Sequence, residues 1–241
     1  ASLFQVSENN PLVGLEERAK LLNELGQALI RHKHMFEFDD TLRPGNLYDY
    51  FLQRQEKGVL AAREILIAIL KSMGEIWPDG SWVDSIAIGD AAYHEAVKRS
   101  DITDRIVPFH KLSQWMSYSL IEPLQMAGIK IIDLDALTGL AEYRNGGLFI
   151  DTGTISLRDK TEMETLHDPK SPLIVEWRAL TVTLLDQLAE QIRRHTNTNA
   201  ESMPLVSILQ GGTWSAGRRI AQRLRSDASP PLRLKSRGTI F

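Results

Sequence analysis

The amino-acid sequence predicts a mainly α-helical protein that folds as a single helical domain over residues 1–241. Apolar residues recur at the spacing of an amphipathic helix along most of the chain. Hydrophobic residues make up 43% of the chain, which is enough to bury a continuous core. No internal repeat or low-complexity linker divides the sequence, and at most one short β element is expected, near residues 148–157.

The N-terminal part of the chain predicts three helices and one ordered loop. The first helix covers residues 15–29 and carries acidic residues in its first turn, where the helix dipole favours negative charge. Pro44-Gly45 breaks the chain, and Asn46 is expected to cap a short helix. Residues 58–76 are apolar on most of the helical circumference and predict a central, buried helix, whereas the turn residues of 77–89 predict an ordered loop.

The middle of the chain predicts two further helices. Residues 109–127 follow helical periodicity, and Pro123 is expected to end or kink that helix. Residues 133–140 predict a short helix, which the consecutive glycines Gly146-Gly147 interrupt. The alternation of apolar and polar residues in 148–157 is imperfect, so a strand and an irregular segment are equally open there.

Two long helical segments complete the prediction. Proline opens the first, which covers residues 172–192. The second covers residues 204–224, with a break at Gly211-Gly212. Residues 226–241 are polar and rich in proline, so they predict an extended tail.

Charge and residue content exclude several classes of function. The chain has 28 basic and 31 acidic residues, so its net charge is −3 and general binding to a nucleic-acid backbone is not expected. It has no cysteine, which excludes disulfides, thiolate nucleophiles and thiolate zinc sites. Neither a nucleotide-binding loop nor a helical pair of histidines occurs, so no cofactor and no metal are expected.

The chain is also expected to act away from membranes. It has no apolar run of about eighteen residues, which a membrane-spanning helix requires. Its first residues lack the pattern of a secretory signal, so a cytoplasmic location is expected. The chain begins without methionine and is therefore expected to be a processed chain or a fragment.

The segment 108–115 is the first candidate for a binding site. Lys111 falls in the first turn of a predicted helix, where free backbone N–H groups favour a phosphate. His110 precedes this lysine, and Gln114 and Trp115 follow one turn later and suit a heterocycle or a urea-like group. The alternative is a solvated surface lysine, which the spacing taken alone favours.

A second candidate site lies where five polar side chains precede a pair of glycines. Asp133 and Glu142 supply carboxylates, Tyr143 a phenol, Arg144 a guanidinium and Asn145 an amide. Such a group suits a site where a carboxylate handles a proton or a developing cation and an arginine fixes an anion. In the alternative, Asp133 caps a helix, Arg144 pairs with a neighbouring acid and the glycines end a helix, and both interpretations stay open.

Two segments near the C terminus add further candidates. Glu176 and Arg178 flank Trp177 on an apolar helix, where charged groups must be paired or line a cavity. A structural ion pair is the commoner outcome. Trp214 follows Gly211-Gly212, where helix N–H groups can face an anion, although a packing bend is the commoner reason for two glycines.

Other polar residues carry no functional signal in the sequence. Asp90 and His94 are expected to have turn or capping roles. The arginines of residues 218–225 form a basic flank on the last predicted helix. Such a flank is most often a solvated face.

Five segments together resemble the uracil-catabolism family of fungi and bacteria. That family belongs to the reductase-independent route of pyrimidine degradation and is described as a domain of unknown function. The segments are Gly45–Tyr50, Val107–Trp115, Leu137–Gly147, Val175–Leu180 and Gly211–Trp214. The resemblance runs from about Asn10 to the C terminus.

The order of these motifs is also similar, more distantly, to the queuosine 5′-phosphate N-glycosylase (queuine salvage) family, whose helical fold is related to that of DNA glycosylases. The shared pattern is Phe-x-Lys-x-x-Gln, then Leu-Thr before an acid-Tyr-Arg, then Glu-x-Arg and a late Trp. By position, the resemblance implies that Lys111 contacts the substrate phosphate and that Glu142 is the acidic active-site residue. Tyr143 and Arg144 are implied to shape the pocket.

The resemblance has limits that bear on the substrate. Glu176 and Arg178 are implied to support the pocket. The queuosine family has aspartate in place of Glu142 and differs around Asn145-Gly146, so the substrate base is not expected to be queuine. Family members also carry a long N-terminal region that this chain lacks. The chain is therefore expected to be the C-terminal part of a longer protein, whose missing part or second copy completes the pocket.

The resemblance implies an N-ribosidic bond hydrolase that converts ribosylurea 5′-phosphate to urea and ribose 5-phosphate. Glu142 is the first choice for the catalytic carboxylate, followed by Asp133 and Glu176. The expected substrate contacts are Lys111, His110, Gln114, Trp115, Tyr143, Arg144, Asn145, Arg178 and Trp214. The alternatives are a non-catalytic subunit that binds a nucleotide-derived intermediate and a nucleic-acid glycosylase.

Overall fold

The structure is a computed structural model that describes residues 5–12, 14–77 and 80–235. About 54% of it is helical, and the strands are few and short, which confirms the mainly α prediction. The likeness to the DNA-glycosylase-like queuosine salvage fold stays a prediction. No helix within the described ranges is long and apolar enough to cross a bilayer.

Helices alternate with short strand pairs along the chain. The α-helices are α1 (Leu15–Arg31), α2 (Lys33–Phe36), α3 (Leu47–Leu52), α4 (Ala62–Met73), α5 (Lys111–Met126), α6 (Tyr143–Asp151), α7 (Pro172–Thr196), α8 (Leu205–Ile208) and α9 (Trp214–Leu224). The strands are β1 (Glu37–Phe38), β2 (Thr41–Leu42), β3 (Val59–Ala61), β4 (Ser81–Val83), β5 (Ile86–Gly89), β6 (Ala91–Tyr93), β7 (Ile106–Pro108), β8 (Lys130–Ile132), β9 (Leu166–His167) and β10 (Arg233–Leu234). The strands form two-stranded pairs: β1–β2, β4–β5 and β6–β7 are antiparallel, while β3–β8 and β9–β10 are parallel.

The main core surrounds α4, which lies between α1 and α5. Ile65, Ile69 and Met73 are buried at the spacing of three or four residues that places them on one helix face. Phe36 and Phe51, from α2 and α3, are buried in the same cluster. The prediction of a central, buried helix in this part of the chain is therefore confirmed.

That helix begins later than predicted, because the residues before it form a strand. The predicted range was 58–76, whereas α4 starts at Ala62. Gly58 has a φ of +82°, a left-handed conformation that favours glycine, and it turns the chain into β3. Strand β3 then pairs with β8, with Val59 opposite Lys130.

Two predictions for the N-terminal half need correction. Asn46 does not cap α3, since its side-chain amide is buried and donates to the carbonyls of Phe36, at 2.9 Å, and Thr41, at 2.6 Å. Residues 81–89 form the antiparallel hairpin of β4 and β5, so the predicted ordered loop is wrong there. The predicted turn at residues 78–79 lies outside the described residues.

The predicted helix over residues 133–140 is wrong, because only a 3-10 turn, Leu134–Ala136, forms there. Asp133 starts the turn in the left-handed conformation, with a φ of 54°. The carboxylate of Asp135 accepts the backbone N–H of Leu205 at 2.8 Å. This contact ties the segment to the start of α8.

The glycines at residues 146–147 lie inside α6, so the predicted interruption there is wrong. A Cβ atom on Gly146 would lie 2.7 Å from both Trp177 Nε1 and Thr181 Oγ1. Glycine therefore allows α6 to pack directly on α7. Of the two alternatives left open for residues 148–157, the strand is wrong, because residues 148–151 complete α6 and the described strands lie elsewhere in the chain.

The C-terminal segments follow the predicted order with two differences. The long helix after Pro172 is confirmed as α7. Gly211-Gly212 do not break the next helix, because the π-helical turn Leu209–Thr213 joins α8 to α9. The described part of the tail ends in β10, and Leu232 before it is fully buried. Residues 236–241 lie outside the described residues.

The packing of α9 on α6 depends on Gly217, where an added Cβ atom would overlap the carbonyl oxygen of Arg144. Because the contacted atom belongs to the backbone, it cannot rotate away. We expect Gly217→Ala to lower the free energy of unfolding by about 1–3 kcal/mol, as overpacking does in protein cores. Urea denaturation measures this change.

The matched control is Gly26→Ala in α1, where no atom lies within 4 Å of the added Cβ. Alanine is the better helix former, so we expect this variant to gain up to about 1 kcal/mol. A Gly217→Ala variant as stable as Gly26→Ala would contradict the packing argument.

Candidate active site

A buried ion pair between Asp90 and Arg178 joins distant parts of the chain. Nη1 and Nη2 of Arg178 donate to the two carboxylate oxygens of Asp90 at 2.9 Å and 2.7 Å. Nε of the same guanidinium donates to the carbonyl of Ala141 at 3.3 Å, and its plane lies over Phe109, 4.0 Å from the ring centroid. The pair therefore holds α7 against the strand region and the segment that leads into α6.

Asp90 also fixes the start of α5. Its carboxylate accepts the backbone N–H of Lys111 at 3.0 Å, and its carbonyl accepts the N–H groups of Phe109 and His110 at 3.0 Å and 2.9 Å. Burial raises the pKa of Asp90, but the Arg178 guanidinium and the Lys111 N–H outweigh it and hold that pKa below its usual value of 3.8. Asp90 is therefore ionised at neutral pH.

Glu142 occupies the corresponding position at the start of α6. Its carboxylate accepts the backbone N–H groups of Arg144 at 2.8 Å and Asn145 at 2.6 Å, as an N-cap residue does. The residue is only 7% exposed. Burial raises the pKa of Glu142 above its usual value, and the two N–H groups and the nearby charge of Lys111 offset only part of that rise. Glu142 is thus a buried carboxyl group whose pKa is raised although two backbone N–H groups bind it.

Lys111 is buried next to these carboxylates. It is 7% exposed, so the alternative of a solvated surface lysine is wrong. Burial and the charge of Arg178 lower the pKa of Lys111 to about 8, although Asp90 and Glu142 act in the opposite direction. At neutral pH the ammonium group is mainly charged and compensates the two carboxylates. Its predicted contact with a substrate phosphate stays a prediction.

A cavity of about 610 Å³ opens beside Glu142, within the size range of small-molecule sites. Trp115 and Tyr118 of α5 line one side of it, and Trp214 of α9 lines another. Asn145 also reaches the cavity, and its Oδ1 accepts the hydroxyl of Thr213 at 2.9 Å. The structure therefore brings together four predicted site residues, which are Trp115, Glu142, Asn145 and Trp214.

The electrostatic character of this cavity is acidic. Glu122 and Glu142 both line it. No lysine or arginine among the described residues does. Ser119 and Gln210 add neutral polar groups to the wall. The wall is thus suited to hydrogen-bond donors of a ligand more than to an anion.

Three other predicted site residues line two further cavities. Tyr143 and Arg144 line a cavity of about 530 Å³ beneath the C-terminal tail, where Arg144 Nη1 donates to the carbonyl of Ala228 at 2.7 Å. His110 lines a largely apolar cavity of about 460 Å³. None of these three residues lines the cavity that Glu142 lines.

The remaining predicted residues have structural or surface positions. Gln114 is buried, and its Oε1 accepts the backbone N–H of Thr138 at 3.2 Å. Glu176 is exposed and lies 3.1 Å from His94 Nε2. Asp133 is exposed at the start of its 3-10 turn. Within the described ranges, no group of three or more His, Asp or Glu side chains is placed to hold a metal ion.

Sequence reasoning missed Asp90, to which only a turn or capping role was assigned. It does cap a helix, but that helix begins 21 residues later, and its ion-pair partner Arg178 lies 88 residues away. Local spacing carries no signal for either contact. The only pattern in the sequence at this position is Gly89-Asp90, a glycine followed by an aspartate, which is typical of a turn.

Comparison with known proteins places the chain among relatives of similar sequence. A family model described as "Protein of unknown function (DUF1688)" matches residues 1–241. "Protein urg3" of Schizosaccharomyces pombe is 37% identical over 243 residues, which cover 99% of this chain and 57% of that protein. "Uracil catabolism protein 4" of Lachancea kluyveri is 37% identical over 265 residues, which cover 99% of this chain and 59% of that protein. The chain thus spans somewhat more than half the length of these relatives.

The buried pair predicts a strong effect of Asp90→Asn. This substitution leaves the Arg178 guanidinium buried without a carboxylate, so we expect the free energy of unfolding to fall by about 3–5 kcal/mol. Urea denaturation of Asp90→Asn, Arg178→Met and the double variant measures the coupling. We expect the double variant to lose less than the sum of the two single losses, and additive losses would contradict a direct pair.

The buried Lys111 predicts a pH dependence of stability. Between its pKa of about 8 in the folded protein and its usual value of 10.5, the unfolded chain holds a proton that the folded chain has released. Stability therefore rises with pH across this window, by up to about 3 kcal/mol. We expect Lys111→Met to lack this rise when unfolding by urea is measured across the same window.

The exposed Lys20 provides the matched control for that experiment. Lys20→Met should give the same rise as the unmodified chain. If Lys111→Met also gives it, Lys111 is not the group responsible.

Proposed function

The chain belongs to the DUF1688 family, and from this premise we propose that it hydrolyses the N-ribosidic bond of ribosylurea 5′-phosphate, releasing urea and ribose 5-phosphate. The observation that carries the proposal is the position of Glu142, a nearly buried carboxylate with a raised pKa on the wall of a cavity of small-molecule size. The relative named as a uracil catabolism protein supports a role in pyrimidine breakdown.

The chemistry that this proposal requires is a displacement at C1′ of the ribose. The C1′–N bond breaks, and its electron pair leaves with the urea nitrogen, so positive charge develops at C1′ and the ring oxygen. A water oxygen bonds to C1′, and Glu142 accepts a proton from that water. The proton then passes to the urea nitrogen, which restores the carboxylate and completes the addition of one water molecule.

The surroundings of Glu142 suit this role. Two backbone N–H groups fix the carboxylate, yet each carboxylate oxygen has a further lone pair that can face a ligand. The raised pKa brings Glu142 closer to neutral pH, where a general base works best. The charge of nearby Lys111 favours the ionised form, so the buried charges behind the wall support a carboxylate that both attracts C1′ and takes up a proton.

The aromatic residues of the cavity would position the substrate and exclude water. Trp115 and Trp214 are 53% and 37% exposed, so they offer free indole surface to a ligand. Indole faces pack well against a planar urea group or a sugar ring. The side chain of Asn145 accepts from Thr213 and donates to the carbonyl of Leu140, and its backbone N–H donates to the Glu142 carboxylate, so we assign it the task of positioning Glu142.

The chain covers 57–59% of the length of its relatives, so its activity without further sequence is part of the proposal. A binding subunit without catalysis is the second function that the same cavity would permit. That function also needs the cavity and its aromatic walls, but it does not need the proton transfer at Glu142. Substitution of Glu142 therefore separates the two functions.

We expect Glu142→Gln to reduce urea release from synthetic ribosylurea 5′-phosphate by about a hundredfold or more, because glutamine cannot accept the proton. Binding of the substrate should persist and can be followed by ligand-induced thermal stabilisation. Glutamine keeps one oxygen that accepts an N–H group, so the start of α6 is expected to stay formed.

Three further variants complete this experiment. Glu201→Gln, in an exposed loop, is the matched control and should keep full activity. Asp133→Asn and Glu176→Gln examine the other two predicted carboxylates, and loss of activity in either would overturn the choice of Glu142. Substrate binding without urea release by the unmodified protein would instead favour the binding subunit.

A further inference from the structure

We infer that Arg218 holds the substrate's phosphate at the mouth of the cavity that Glu142 lines. This inference rests on the proposed function, since it assigns one end of the proposed substrate to one residue. Arg218 belongs to a basic flank for which the sequence suggested only a solvated face. Its position relative to Trp214 suggests instead that it contacts a ligand at the cavity.

Arg218 lies one helical turn after Trp214 on α9, a spacing that brings two side chains to the same helix face. Its guanidinium carbon is 5.7 Å from the centroid of the Trp214 ring, within the range of a cation–π contact. Trp214 lines the cavity, whereas Arg218 is exposed. The contact therefore places a positive charge at the edge of the cavity.

The charges of the cavity wall favour a phosphate at this edge rather than inside. A dianionic phosphate within the cavity would meet the carboxylates of Glu122 and Glu142 and, among the described residues, no cation on the wall. Lys111 is 7% exposed and its charge already interacts with Asp90 and Glu142. The outer position at Arg218 avoids the repulsion and still offers a guanidinium group.

The opposite end of the substrate fits the inner wall. A ribosylurea carries several N–H donors on its urea group and no charge there. Glu122, Glu142 and the polar groups of Ser119 and Gln210 offer oxygen acceptors for such donors. The wall therefore favours one orientation of the substrate, with the urea group inside and the phosphate outside.

Arg218 is also chemically available for this contact. Arg178 and Arg193 of α7, in contrast, pair with the carboxylates of Asp90 and Asp135. In the described part of the chain, no carboxylate lies within 4.0 Å of the Arg218 guanidinium. A guanidinium that stacks on an indole keeps its N–H edge free, and that edge matches two phosphate oxygens.

The decisive experiment measures binding of ribose 5-phosphate and of ribose by calorimetry, which needs no turnover. We expect Arg218→Ala to weaken binding of ribose 5-phosphate by about tenfold or more and to leave ribose binding unchanged, because only the phosphate contact is lost. Arg218→Lys should recover part of the affinity, since a charge remains without the bidentate geometry.

Arg219→Ala is the matched control, because Arg219 is exposed on the same helix but projects about 100° further round it. We expect its affinity for ribose 5-phosphate to stay within about twofold of the unmodified chain, as for an ordinary surface charge. Equal losses in Arg218→Ala and Arg219→Ala would overturn the inference and indicate a general charge effect.

Lys111→Met distinguishes the two candidate anchors. Loss of the preference for ribose 5-phosphate over ribose in Lys111→Met, with that preference intact in Arg218→Ala, would overturn the inference in favour of Lys111. Binding of ribose 5-phosphate is measured without turnover, so this result can differ from that of the urea-release assay. A protein that binds ribose 5-phosphate through Arg218 but releases no urea would refute the hydrolase and leave the phosphate contact standing.

Discussion

The buried pair of Asp90 and Arg178 is the interaction on which the site depends. Arg178 donates three N–H groups, two to the Asp90 carboxylate and one to the Ala141 carbonyl. Asp90 also accepts the backbone N–H of Lys111, the first residue of α5. Through these bonds, one guanidinium fixes both the start of α5 and the segment before Glu142. Charged groups so deeply buried are tolerated only when each has a partner of opposite charge and its hydrogen bonds are made. Helix α7, the Asp90 segment, the start of α5 and the segment before Glu142 must therefore meet in one arrangement.

This arrangement explains why the Glu142 carboxylate and the Lys111 ammonium group are buried in the same region of the protein. Lys111 opens α5 and Glu142 caps α6, so two helix starts converge on the ion pair. The glycine at position 146 lets α6, which Glu142 caps, approach Trp177 of α7 closely. Burial raises the pKa of Glu142 and lowers that of Lys111. Among the described residues, no lysine or arginine lines the cavity beside Glu142.

Sequence patterns predicted the long helices well, because an amphipathic helix repeats its signal over several turns. The helices α1, α5 and α7 lie where the periodicity indicated. The predictions based on local glycine and capping patterns were wrong where tertiary contacts determine the role of the residue. The glycines at residues 146–147 have the pattern of a helix end, yet they permit close helix packing, and Asn46 has the pattern of a cap, yet it bonds two carbonyls in the core.

By itself, the sequence determined the helical class, the absence of cysteine chemistry and the motifs that identify the family. It also indicated Glu142, Trp115 and Trp214, which line one cavity. Only the tertiary structure decided that Tyr143 and Arg144 line a different cavity and that Asp90 joins α5 to α7. Local periodicity determines which face of a helix is apolar, but contacts between residues far apart depend on how the helices pack, and no short pattern records that packing.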